Sequence, residues 1–86
     1  MAVDRPVLGR GVRLIYDRTR QTHVVLHPEG VLVPNGTAVS VLELCDGTTN
    51  VAQITAALGA RYAGVRETEV GTVLERLTEK GVVRWI

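Results

Sequence analysis

The chain is 86 residues long, 45% hydrophobic and 22% charged, which bounds it to one domain with one modest core and argues against wholesale disorder. There is no Phe, and Tyr16, Tyr62 and Trp85 are the only aromatic residues, so the core has to be aliphatic and little surface is left for stacking on bases or on a flat cofactor. The net charge of +1 is unevenly spread, with residues 1–20 at net +3 and the remainder at net −2; a solvated strand and hairpin tip explains the basic section as well as an acidic partner does.

Residues 1–10 contain Pro6 and Gly9 and show no periodicity, which predicts a flexible N-terminal lead-in. From Val12 to Asp17 the residues alternate, Val12, Leu14 and Tyr16 on one face and Arg13, Ile15 and Asp17 on the other, the pattern of a half-buried strand. Arg18–Gln21 is a polar connection, and the β-branched run from Thr22 to His27 predicts a second strand. Pro28-Glu29-Gly30 is a turn, with φ preset at the Pro and positive φ open to the Gly. Val31, Leu32 and Val33 then make a third short strand, and connections this short favour an antiparallel meander.

Asn35 is placed to cap a first helix carrying Ala38, Val41, Leu42 and Cys45 on one apolar stripe, with Asp46-Gly47 expected to end it. Asn50 and Gln53 have the spacing of a capping box for a second helix whose stripe is Val51, Ile54, Leu58 and Tyr62. A third helix is predicted over residues 66–80, with Val70, Val73, Leu74 and Leu77 inward and Gly81 at its exit. Val82–Ile86 reads as a short terminal strand. The expected fold is α+β and winged-helix-like: a three-stranded antiparallel sheet followed by three helices and a short C-terminal strand.

The reactive inventory is thin. Cys45 sits on an apolar stripe, where it acts as a small hydrophobe rather than a nucleophile. His23 and His27 share a strand face but stand about 13 Å apart, too far to hold one metal together. Glu75 and Glu79 lie beside Arg76 and Lys80 as a solvated, charge-paired helix face. No enzymatic activity, metal or cofactor is expected. A lone cysteine forms no internal disulfide, no run approaches the ~18 apolar residues of a membrane span, and residues 1–9 lack the apolar segment of a signal peptide; a reducing cytoplasm and no membrane partner are expected. A winged-helix layout raises DNA binding, but residues 66–80 are net −1 and contain no Asn or Gln. Such a helix is repelled by a major groove, so no nucleic acid is expected and a DNA-binding regulator stands only as the alternative of another class.

The run HVVLHPEGVLVPNGTAVSVLELCDGTTNVAQITAALGARY, followed by LERLTEKGVV, resembles the PqqD family, pyrroloquinoline quinone biosynthesis protein D. The likeness covers about residues 10 to 84 and is carried by Pro28-Glu29-Gly30, by Asn35 with Thr37-Ala38, and by Leu44-Cys45-Asp46-Gly47. It implies that residues 11–86 are a single peptide-binding domain, a recognition element that holds a precursor peptide and presents it to a radical S-adenosylmethionine enzyme. A recognition domain for another ribosomally made modified peptide, such as mycofactocin's, is the alternative within the same class. The family mode implies a peptide added as a further strand along Val31, Leu32 and Val33 beside the third helix, with Glu69, Thr72, Val73, Arg76 and Lys80 as side-chain contacts. Pro34 has no N–H, so pairing is expected to stop there, and Leu32→Pro is expected to remove an edge donor. Exposed strand edges also suit pairing of two copies as a homodimer.

Overall fold

The computed structural model describes residues 4–86. Among them the order is β1 (Pro6–Leu8), β2 (Arg13–Asp17), β3 (Thr22–His27), β4 (Gly30–Leu32), α1 (Gly36–Glu43), α2 (Val51–Gly59), α3 (Glu67–Glu79) and β5 (Val83–Trp85). β2, β3 and β4 form an antiparallel meander in that order, and β1 pairs with β5 in a separate two-stranded sheet. The fold is therefore α+β, with the three-stranded sheet, three helices and C-terminal strand that the sequence predicts.

β1 is the departure. The flexible lead-in expected over residues 1–10 is, at Pro6–Leu8, a strand in register with Val83–Trp85; residues 1–3 lie outside the described residues. Pro6 opens the strand, the position where a missing N–H does least harm to a ladder, and its ring is fully buried. Val7 forms a bridge to Asp46 on its other side, and Pro6 O accepts from Gly47 N at 3.0 Å. The pairing runs past the strand ends, through Arg5 to Ile86 and Gly9 to Val82. β1 is thus tied to β5 on one side and to the α1–α2 connection on the other.

Helix boundaries follow their caps. Asn35 Oδ1 accepts from Ala38 N at 2.8 Å, starting α1 where expected. At the other end α1 stops at Glu43, ahead of the expected Asp46-Gly47 stop. Asp46 and Gly47 are drawn away to β1, and the Asp46 carboxylate instead holds the next turn, accepting from Thr48 N at 2.9 Å and Thr49 N at 3.1 Å. Gly47 is needed there: it is buried, its φ is +79°, and a Cβ on it would stand 2.9 Å from Ile86 Cδ1. α2 opens with the predicted reciprocal box, Gln53 N to Asn50 Oδ1 and Asn50 N to Gln53 Oε1. It ends at Gly59, so Tyr62, expected on its stripe, lies in the turn that follows.

The core is aliphatic, as the composition requires. Val25 of β3, Val41 of α1, Ile54 and Leu58 of α2, and Leu74 of α3 are each at most 1% exposed. Leu14 and Leu32 pack against this core from the flanking strands. α3 buries Val70, Leu74 and Leu77, while Val73, expected inward with them, is only half-buried.

The tightest backbone approach is at Gly9. A Cβ there would stand 2.7 Å from the Gly81 carbonyl oxygen and 3.3 Å from Val12 Cγ2. Backbone cannot rotate aside as a side chain can, so Gly9→Ala is expected to cost about 1–3 kcal/mol, measured as a lower urea midpoint with an unchanged m value.

Candidate peptide-binding groove

The site is built from the free edge of β4 and the face of α3 opposite it. β3 and β4 are joined by two residues and pair His27 with Gly30, Leu26 with Val31 and Val25 with Leu32. A two-residue connection makes the closing pair the hydrogen-bonded one, and hydrogen-bonded and non-bonded pairs then alternate. Gly30 and Leu32 therefore turn their main-chain groups towards β3, and Val31 turns its N–H and C=O to the open edge. This corrects the expectation for Leu32: its amide is committed to Val25, and the edge donor is Val31.

Side chains alternate in the opposite sense. Leu32 points to the helix side and packs against the core, whereas Val31 and Val33 are 58% and 54% exposed. Beside Leu32 is a cavity of about 160 Å³ walled by Pro34, Asn35, Ala38, Val73, Arg76, Leu77 and Lys80. A second cavity of about 240 Å³ lies farther along α3, under the α2–α3 turn, walled by Thr37, Leu58, Tyr62, Val65, Glu69, Val70 and Val73 among others. Val73 lines both.

The structure thus gathers Leu32, Val73, Arg76 and Lys80 around one cavity and places Glu69 with Val73 at the other. Thr72 lines neither; it is exposed, and its hydroxyl donates to Thr68 O at 2.9 Å. Val33 lies just beyond β4, which ends at Leu32. Sequence reasoning set Pro34 aside because it cannot donate a hydrogen bond, yet its ring forms part of the cavity wall. It also read Ala38 and Leu77 as core and Asn35 as a cap alone. Each has that role and faces the groove as well, a double duty that periodicity does not reveal.

Two electrostatic features frame the groove. Arg76 and Lys80 join no ion pair among the described residues, whereas Glu69 lies 3.9 Å from Arg66 in an exposed pair. The groove is therefore basic at the C-terminal end of α3 and close to neutral at the other. Tyr62 is fixed at the neutral end by its hydroxyl, 2.9 Å from Oγ of the buried Ser40.

Reactive groups lie elsewhere. Cys45 is 5% exposed and its thiol donates to Val41 O; burial, aided by the Asp46 charge, pushes its pKa up to about 12. The Asp46 carboxyl is held below its ordinary value by the hydrogen bonds it accepts from Thr48 and Thr49. His23 packs edge-on against Tyr16, ring centroids 5.2 Å apart. Among the described residues no three His, Cys, Asp or Glu side chains converge as metal ligands.

Comparison with known proteins gives a consistent picture. The family model described as coenzyme PQQ synthesis protein D (PqqD) matches residues 22–83. The chain is 46% identical over 80 residues to a PqqA binding protein of Bradyrhizobium diazoefficiens, covering 90% of this chain and 78% of that one. It is 48% identical over 81 residues to a PqqA binding protein of Rhodopseudomonas palustris strain TIE-1, with the same coverage. It is also 40% identical over 83 residues to the bifunctional coenzyme PQQ synthesis protein C/D of Methylorubrum extorquens, covering 93% of this chain and 22% of that longer one. Among solved structures, the solution NMR structure of the PqqD truncation of Methylobacterium extorquens PqqCD, described as a functional, stand-alone RiPP recognition element, superposes with a TM-score of 0.70 at 37% identity, over 92% of this chain and 87% of that one. With the match spanning most of its length at these identities, the chain belongs to the PqqD family.

Proposed function

We propose that the chain binds the PqqA precursor peptide as a strand added to β4, in the groove beside α3, and presents it to a radical S-adenosylmethionine enzyme of pyrroloquinoline quinone biosynthesis without catalysing a step itself. The observation that carries this reading is the open main-chain edge at Val31 next to an apolar cavity, which supplies both the hydrogen bonds and the side-chain slot that strand addition uses. The relatives named PqqA binding protein support the ligand. The fused C/D protein supports work in the company of pathway enzymes. The contacts proposed for the peptide are the main chain at Val31 and Val33 and the side chains of Leu32, Val73, Arg76 and Lys80. Glu69 is proposed at the far end of the groove. Thr72, which lines neither cavity, drops out of the proposed set. A net charge of −1 over residues 66–80 counts against DNA as the ligand.

Val31→Pro tests strand addition without breaking the hairpin, because an edge strand tolerates Pro where its N–H faces outward. Titration calorimetry with a synthetic PqqA peptide is expected to show binding about tenfold weaker, with the helical circular dichroism unchanged. Wild-type affinity in this variant would sink the reading.

The absence of nucleophilic chemistry is tested at Cys45. Native protein is expected to resist alkylation by iodoacetamide at pH 8, and unfolded protein to react at once; rapid labelling of the native chain would show an accessible thiolate. The pH sense follows from the raised pKa. The folded state keeps the thiol where an unfolded one, near 8.5, ionises, so this stabilisation is complete below pH about 8.5 and lost as the pH rises towards 12. The stability gap between wild type and Cys45→Ala is expected to narrow over that range, by up to about 1.4 kcal/mol per pH unit. Urea unfolding at several pH values checks it.

A further inference from the structure

We propose that the cavity under the α2–α3 turn is a second anchor site for the same peptide, so that the ligand carries two aliphatic side chains on one face, about 9 Å apart, with a carboxylate on the side of Arg76 and Lys80. This rests on the strand-addition reading and extends it past the point where strand addition ends. β4 ends at Leu32 and the chain turns into α1 at its Asn35 cap, so beyond Val33 a bound peptide has no main-chain partner. The groove nevertheless continues. The β4-side cavity is walled by Pro34, Asn35 and Ala38 and the farther one by Thr37, so residues of the first turn of α1 or its cap line both, and Val73 is common to the two.

The farther cavity is built to take an apolar group. Leu58 and Val70 at its wall are 1% and 2% exposed and belong to the core. Its Tyr62 wall is locked by the bond to buried Ser40. The two sets of α3 residues, Glu69, Val70 and Val73 against Val73, Arg76, Leu77 and Lys80, are centred about six residues apart. That is about 9 Å along the helix, between the spans of about 7 Å and about 13 Å that separate side chains two and four positions apart on one face of an extended chain. The charges orient the ligand: two cations without ion-pair partners among the described residues stand at the β4 end, and an already neutralised Glu69–Arg66 pair stands at the other. An acidic, aliphatic peptide fits this layout in one polarity.

The test uses the full chain and a synthetic PqqA peptide, with affinity read by fluorescence anisotropy and site occupancy by methyl NMR. Thr37→Trp, at an exposed position in the first turn of α1, fills the farther cavity from its rim; Ala63→Trp fills it from the opposite wall if the first variant is unstable. Either is expected to weaken binding about tenfold, while the Leu32 methyls still shift on addition of peptide. In the wild type, the Val65 and Val70 methyls are expected to shift as well. Raising the salt concentration is expected to weaken wild-type binding more than that of an Arg76→Gln, Lys80→Gln double variant. Full affinity in the filled variants, with still Val65 and Val70 methyls, overturns the second anchor and leaves strand addition standing if Val31→Pro is impaired. Wild-type affinity in Val31→Pro overturns strand addition, whatever the farther cavity does.

Discussion

α3 reaches the core through Val70, Leu74 and Leu77, a stripe repeating at four and three residues that runs up one side of the helix. Leu74, fully buried at its centre, fixes the height of the helix above the sheet, and Val25 of β3 meets the same core from below. Because the stripe is narrow, Val73 falls one step to its side and stays half-buried. That offset leaves Val73 at the wall of both cavities. Leu32 and Leu77 face the β4-side cavity from its two walls, and the open main chain of Val31 runs alongside.

Much of this was legible in the sequence, because it is encoded locally. The cap at Asn35, the box at Asn50 and Gln53 and the turn at Pro28-Glu29 are each written within four residues, and the stripe of α3 within eight. What was hidden depends on partners distant in the chain. Pro6–Leu8 has no periodicity of its own, and it becomes a strand because Val83–Trp85 and Asp46 flank it, some 77 and 39 residues away at Val7. The same event shortens α1, since Asp46 and Gly47 cannot both end a helix and pair with β1. The edge donor was misassigned to Leu32 for a different reason. Strand position was readable, but the alternation of bonded and free amides is set by the two-residue connection and its closing pair, His27 with Gly30.

The candidate site divides labour between elements in a way that explains its composition. Under the proposed mode, main-chain bonding would belong to β4, where side-chain identity matters little, and shape to α1 and α3, whose core residues also form the cavity walls. A wall made of core residues is rigid, because Leu58, Val70 and Leu77 are held by packing on their other sides. The groove is then preformed, and a peptide entering it loses its own freedom without having to order the protein as well. Charge enters only at the rim, through Arg76, Lys80 and Glu69, where solvent screens it and where it selects the orientation of a ligand more than its affinity.

The alternation of β4 has a further consequence under the proposed mode. A strand bonded to Val31 must place half its side chains towards α3 and half on the opposite face of the sheet. On that face Val31 and Val33 are exposed, while Val24, set between them and Ile15 by the register, is 3% exposed although it lies outside the main core cluster. The outward side chains of the peptide would come to rest beside Val31 and Val33, extending a small aliphatic surface that the domain alone leaves unfinished. Peptide residues read by the groove are thereby hidden, and those left outward remain available. Under the proposed function, that separation would let an enzyme reach the outward side chains while the groove holds the others.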